Sequence, residues 1–176
     1  MWKPEHDDLL SSWRHQAAVN LWLQVGSSYY YRKMADCLAY PSIILSTITS
    51  ISVFATLQDT RIGPYLTSAM ALISGILVGI NKHIKAAEKA ESFSICSKEY
   101  YALIREIDFI LSTPTFERAA KKETLANIQA TFDKVVEMSL DPPLHIIRQY
   151  EDKFKPIETQ LLKELESEIK DEDDMV

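Results

Sequence analysis

The chain has 176 residues, 25% of them charged, and a net charge of −6, which is enough sequence for one domain with appendages. Ten acidic and four basic residues within 151–176 account for all of that charge. The remainder is balanced and offers no basic surface for nucleic acid. The two cysteines, Cys37 and Cys96, lie far apart and indicate neither a disulfide framework nor a zinc site.

Residues 1–36 are predicted to form an N-terminal cytosolic or interfacial helix. Apolar residues recur there at spacings of three and four: Leu10, Trp13, Ala17 and Leu21. Gly26 and the serines after it are expected to break or kink this helix. An aromatic and basic cluster then precedes an apolar run: Tyr29, Tyr30, Tyr31, Arg32 and Lys33. Such clusters are typical of membrane interfaces, and packing between cytosolic helices is the alternative.

Two uncharged runs dominate residues 37–81. No charged residue occurs between Cys37 and Gln58, and none between Ile62 and Asn81. Each run is about 20 residues long, which as a helix crosses a hydrocarbon core about 30 Å thick. A soluble core helix would show a polar stripe with charges, and neither run contains any. We therefore predict two membrane-spanning helices joined by a tight hairpin.

The first predicted span is rich in serine and threonine. Four of these residues fall on one stripe at helical spacing: Ser42, Ser46, Thr49 and Thr56. A small polar stripe on a span faces protein or water more often than lipid. The stripe therefore indicates either helix packing or the lining of a pore.

The second predicted span contains a row of small residues, Ala71, Gly75 and Gly79. Small residues at every fourth position let two backbones approach closely in membranes. We expect this row to hold the hairpin together, while the large apolar residues of the opposite face contact lipid.

Basic residues flank both runs. Arg32 and Lys33 precede the first span, and Lys82 and Lys85 follow the second, whereas the connecting turn has only Arg61. The positive-inside rule then places both termini on the cytosolic side of a multi-pass integral membrane protein. The N-terminus has no apolar signal segment, so the first span is expected to act as its own targeting signal. Lys82 and Lys85 are expected to ring the cytosolic mouth of a pore.

Residues 82–150 are predicted to form a cytosolic helical stalk and hairpin. A heptad pattern runs through the stalk: Phe93, Cys96, Tyr100, Leu103, Ile107 and Ile110. This pattern packs either on other helices of the same chain or on neighbouring subunits. A second amphipathic helix is expected from about Phe116 to Ser139. Residues 151–176 are predicted to be an amphipathic helix, with Ile157, Leu161, Leu165 and Ile169 on its apolar edge, and an acidic tail.

The chain resembles the SLATT family, two-helix membrane effector domains of nucleotide-signalling conflict systems with relatives in large DNA viruses. The resemblance covers roughly residues 13–150. It rests on the aromatic-basic entry 29–32, on the stretch 40–50, and on a downstream helix carrying Glu91, Tyr100, Leu103 and Ile107. What it implies is a pore-forming or ion-conducting effector without catalytic residues.

The sequence thus predicts an all-α protein, a transmembrane hairpin with long cytosolic helices, assembled as a symmetric homo-oligomer. We expect a pore or ion channel with the lipid bilayer and permeant ions as partners. The alternatives are a scaffolding protein of a viral or organelle membrane, whose cytosolic helices bind partners, and a soluble interaction bundle. Scattered histidines and the absence of a P-loop or a dinucleotide fingerprint predict no enzyme, no metal and no cofactor.

Overall fold

Helices form all of the regular structure that the computed structural model describes, which comprises residues 2–54, 63–116, 118 and 121–156. The helices are α1 (Pro4–Phe54), α2 (Gly63–Ile84), α3 (Ala86–Ser112) and α4 (Lys121–Met138), and residues 144–156 are also helical. The predicted all-α class is confirmed. Thr56 and the apolar edge predicted for the C-terminal helix lie outside the described residues.

Helix α1 is one continuous element of 51 residues. The expected break at Gly26 does not occur, and no interruption marks the predicted boundary after residue 36. The Ser27 hydroxyl donates a hydrogen bond to the Leu23 carbonyl at 2.7 Å, so this donor has its acceptor within the helix. Pro41 also lies inside α1, although it has no N–H for the helical hydrogen bond. Packing along the whole length of α1 therefore overrides two local helix breakers.

Helix α1 runs antiparallel to α2 and α3. Arg14 hydrogen-bonds Asp108 near one end, and Ser46 meets Ser74 near the other. Between them, the Ser28 hydroxyl donates to the Ala90 carbonyl at 2.9 Å. At about 1.5 Å per residue, α1 is about 77 Å long. Its N-terminal part packs against α3, and its C-terminal part packs against α2.

A single residue separates α2 from α3. Lys85 has φ 53° and ψ 40°, in the left-handed region, while the residues on either side are helical. The Lys85 N–H still donates to the Asn81 carbonyl, and its own carbonyl accepts from Lys89, both at 3.0 Å. The long helix predicted to leave the second span is therefore present, with a break at Lys85 that the sequence pattern did not reveal.

The hydrophobic core lies where α1, α3 and α4 meet. Its fully buried members are Leu10, Ala17, Tyr100, Leu103, Ile107, Ile128 and Val135. Phe93 and Cys96 of the predicted heptad pattern are also buried. The pattern therefore packs on helices of its own chain. The next helix begins at Lys121, five residues later than the expected start at Phe116, because the segment after Ser112 turns back toward α1.

Arg118 connects this turn to both helices at one end of the helical hairpin. Its guanidinium pairs with Asp7 near the start of α1 and donates to the carbonyls of Leu111 and Thr113 at the end of α3. It also lies 5.0 Å from the centre of the Trp2 ring. The side chain is only 5% exposed, so the ion pair and the hydrogen bonds offset its loss of hydration.

A second ion pair, between Arg14 and Asp108, lies at the surface of the same end. The hydrogen bond from Arg14 to Asp108, followed by the charge of Asp108, raises the pKa of Arg14, and slight burial opposes this. Both side chains are about half exposed, so solvent screens the pair. Ion pairs and a closed core thus characterise the end of the hairpin that contains the N-terminus.

Candidate functional site

Serine residues form the contact between α1 and α2. The Oγ atoms of Ser46 and Ser74 are 2.8 Å apart, and the Ser74 hydroxyl also reaches the Ser42 carbonyl at 3.3 Å. Ser42 is 7% exposed and Ser74 is 6% exposed. Small side chains let the two helices approach here, and the hydroxyls satisfy one another without water.

The other hydroxyls of this part of α1 bond back to their own helix. Thr47 donates to the Ile43 carbonyl at 2.8 Å, and Ser50 donates to the Ser46 carbonyl at 2.9 Å. Thr49 does the same to Leu45 at 2.7 Å. A hydroxyl that is satisfied in this way is tolerated in an apolar environment.

The predicted polar stripe therefore divides in the structure. Ser42 and Ser46 contact α2 of the same chain, so helix packing accounts for these two positions. Thr49 is half-buried on the same side. Thr56 lies outside the described residues, so its position on the stripe stays a prediction.

The row of small residues points away from α1. Ala71 is exposed, and a Cβ built on Gly75 or Gly79 would meet nothing within 4 Å. The expectation that this row holds the hairpin together is wrong for the single chain, because Ser74 occupies the face of α2 that meets α1. The row is instead an open strip on the outside of α2.

Large apolar side chains cover much of the remaining surface of α2. The most exposed is Tyr65, at 78%, and Leu66, Leu72, Ile73, Ile76, Val78 and Ile80 are also exposed. On α1 the corresponding exposed residues are Tyr40, Ile43, Ile44 and Ile48. An apolar surface of this extent, without a charge, costs free energy in water and marks a contact with lipid or protein.

One described helical stretch, Tyr65–Ser112, is long and apolar enough to cross a membrane by length and composition. Only 6% of the residues in its most apolar part are buried within the chain, unlike those of a soluble core helix. The apolar part corresponds to α2, and α3 carries the charged residues that follow it.

Two lysines lie where α2 ends. Lys82 and Lys85 are both exposed, and the Lys85 ammonium group is 3.1 Å from a carboxylate oxygen of Glu88. Lys82 has no ion-pair partner among the residues that the structure describes. Their placement in a ring around a pore stays a prediction.

The members of the aromatic-basic cluster on α1 face in two directions, one toward α3 and the other toward solvent. Tyr31 stacks on Phe93 of α3 at 5.5 Å between ring centroids, with the Lys89 ammonium group 5.4 Å from its centroid. Tyr29 is exposed, and so are Arg32 and Lys33. Helix packing therefore accounts for Tyr31, and the exposed members of the cluster remain free for a membrane interface.

Tyr30 belongs to a cleft between α1 and the helical residues 144–156. Its ring lies 4.3 Å from the ring of His145. A Cβ on Gly26 would come within 3.2 Å of the Ile146 side chain, so glycine permits this close approach. The cleft encloses about 550 Å³ and is lined by Trp22, Val25, Gly26, Tyr29, Tyr30, Lys33, His145, Ile146 and Gln149.

Sequence reasoning missed this cleft, because a third of its lining comes from residues more than 110 positions later in the chain. Gly26 was a usable signal. A glycine inside an otherwise regular amphipathic pattern often marks close approach of another backbone element, and here Ile146 makes that approach.

The described residues contain no group of three or more His, Cys, Asp or Glu side chains that could hold a metal ion. The fold and this surface define an all-helical protein with one candidate membrane-spanning helix. No protein-family model matches the chain, and no curated protein or solved structure matches it either.

Proposed function

We propose that this is an integral membrane protein whose α1–α2 end spans the bilayer and whose homo-oligomer encloses an ion-conducting pore. The observation that carries the proposal is the contrast between the two ends of one helical hairpin. The described residues at one end carry no charge and expose large apolar side chains such as Leu72 and Ile44. The other end has a closed core and ion pairs. Transfer from water to lipid lowers the free energy of the apolar end, whereas the charged end is more stable in water.

The flanking charges support a topology with both termini in the cytosol. Arg32 and Lys33 on α1 lie at nearly the same height as Lys89 on α3, because α1 runs antiparallel to it. Cations at the cytosolic membrane surface face anionic headgroups and retain water. The loop between the two spans would then lie on the opposite side of the membrane.

Several copies are required, because one hairpin cannot surround a water path. The open strip at Ala71, Gly75 and Gly79 supports a contact between subunits, where a neighbouring helix could approach closely. Ser42 and Ser46 lie against α2, so the polar wall of the pore is assigned to hydroxyls that stay exposed beside this contact, namely Thr47 and Ser50. Lys82 and Lys85 would stand at the cytosolic mouth.

The resemblance to SLATT domains supports the same function, since those domains are inferred to be pore-forming effectors. The proposal assigns no catalytic residue, no cofactor and no metal. It needs only a bilayer, further copies of the chain and permeant ions.

Ion flux from liposomes containing the purified protein tests the proposal. Ser50→Leu should reduce the flux while leaving the subunit number unchanged, because Ser50 is exposed and its hydroxyl bonds within α1. Ile48→Leu, on the opposite side of α1, serves as the matched control and should conduct normally. Liposomes that show no flux, or protein that stays monomeric in mild detergent, would contradict the pore.

A scaffolding membrane protein is the second candidate, and the burial of Ser42 and Ser74 favours it. In that case the polar stripe serves packing alone. Leu substitutions at Thr47 and Ser50, which are both exposed on α1, distinguish the candidates. A scaffold should lose its assembly when these positions are enlarged, whereas a pore should keep its assembly and lose conductance.

A further inference from the structure

We propose that the cleft between α1 and residues 144–156 binds the headgroup of an anionic phospholipid from the cytosolic leaflet. This inference rests on the proposed membrane location. It assigns a specific lipid site to the proposed pore, at the point where α1 approaches the bilayer.

The lining of the cleft suits a phosphate on an amphiphilic molecule. Lys33 is exposed and has no ion-pair partner within the described part of the chain. The Tyr29 ring is 70% exposed, and its hydroxyl is available as a donor. The paired rings of Tyr30 and His145, 4.3 Å apart, form one wall. A cation and hydroxyl donors recognise the phosphate, and the aromatic rings contact the apolar parts of the headgroup.

The charge of the lining selects an anion. Lys33 carries the positive charge of a lysine, and no carboxylate lines the cleft. The cleft on the other side of α1, of about 410 Å³, makes an instructive comparison. Its charged lining residues are Arg32, Asp36, Glu91 and Lys98, so its positive and negative charges balance. Only the first cleft leaves a positive charge to be neutralised by a ligand.

The position of the cleft identifies the source of the anion as a lipid. Lys33 precedes the uncharged run, which starts at Leu38, by five residues, or about 7.5 Å along the helix axis. Lys33, Tyr40 and Ile44 are spaced by seven and four residues and therefore share one face of α1. Tyr40 and Ile44 are both exposed. A headgroup in the cleft would thus have its acyl chains directed along an exposed apolar surface into the bilayer.

The test uses the full-length protein in nanodiscs that contain phosphatidylcholine and phosphatidylglycerol in equal amounts. Native mass spectrometry of the released protein then counts the lipids that remain bound. The wild-type protein should retain phosphatidylglycerol in preference to phosphatidylcholine. Lys33→Gln should lower that retention about tenfold, since it removes a charge-assisted contact.

Lys98→Gln is the matched control, because it removes a lysine charge that lies outside this cleft, in the lining of the balanced cleft. It should leave retention unchanged. Equal losses from the two variants, or equal retention of the two lipids by the wild type, would overturn the inference. Liposome flotation separates this failure from that of the proposed function. Protein that does not float with liposomes contradicts the membrane location, whereas protein that floats and shows no lipid preference contradicts the cleft alone.

Discussion

Ser46 on α1 and Ser74 on α2 place their hydroxyl oxygens 2.8 Å apart. They are joined by a hydrogen bond inside a surface that otherwise exposes isoleucine, leucine and valine. The contact fixes which faces of the two helices meet. It also determines that the glycines of α2 lie on the outside of the hairpin.

Cysteines at these two positions should form a disulfide within one chain. We expect Ser46→Cys with Ser74→Cys, in a background of Cys37→Ser and Cys96→Ala, to oxidise to a monomer of increased electrophoretic mobility. Ser46→Cys with Gly79→Cys is the control, and it should not close within a chain because Gly79 faces away from α1. A disulfide-linked dimer from the first pair would mean that the serines meet between subunits instead.

Enlarging Gly79 should dissociate the oligomer without unfolding the subunit. In Gly79→Leu the new Cβ has no neighbour within 4 Å in its own chain, so helical content should not change. It would keep a neighbouring helix at a distance, and light scattering in detergent should show a smaller particle. Val78→Leu adds bulk at the adjacent position and should keep the native size. An unchanged particle for Gly79→Leu would exclude the small row from the subunit contact.

Loss of the Arg118 side chain should destabilise the helical hairpin at its N-terminal end. Arg118→Met leaves Asp7 without its cation and the carbonyls of Leu111 and Thr113 without their donor. We therefore expect a loss of about 3 kcal/mol in the free energy of unfolding. Arg14→Met removes a pair that is about half exposed and should cost less than about 1 kcal/mol. Denaturant unfolding followed by circular dichroism measures both. Similar losses would show that burial does not distinguish these two ion pairs.

Two adjacent tyrosines provide a similar comparison in the core. The Ser139 hydroxyl donates to the hydroxyl oxygen of Tyr100 at 3.0 Å, and Tyr100 is 1% exposed. Tyr100→Phe should therefore lower the free energy of unfolding by about 1 kcal/mol. Tyr101 is 56% exposed, so Tyr101→Phe should have no measurable effect. Equal unfolding midpoints for the two variants would contradict a structural role for the Tyr100 hydroxyl.

Periodicity predicted much of this fold, because it reports which residues share a face. It identified the buried face of α3 through Phe93, Tyr100 and Ile107, and it identified the uncharged ends of both long helices. It could not report which face meets which helix. For that reason the glycine spacing predicts a contact between α2 and α1, although Ser74 makes that contact instead.

Local signals also failed where tertiary packing outweighed them. Gly26 predicts an interruption, yet α1 passes through it with the Ile146 side chain packed against the glycine. The left-handed geometry of Lys85 had no signal, since lysine is a good helix former. The cleft between α1 and residues 144–156 depends on contacts between distant segments, so its lining could not be gathered from the sequence alone.

The unbroken course of α1 restricts how the length of this chain can change during evolution. Four residues inserted between Ser28 and Ser42 would slide Ser46 past Ser74 by about 6 Å and separate the two hydroxyls. A compensating insertion near Lys85, where the opposite helix already departs from regular geometry, would restore the alignment. Homologous chains of different length should therefore carry paired insertions or deletions in the two long helices.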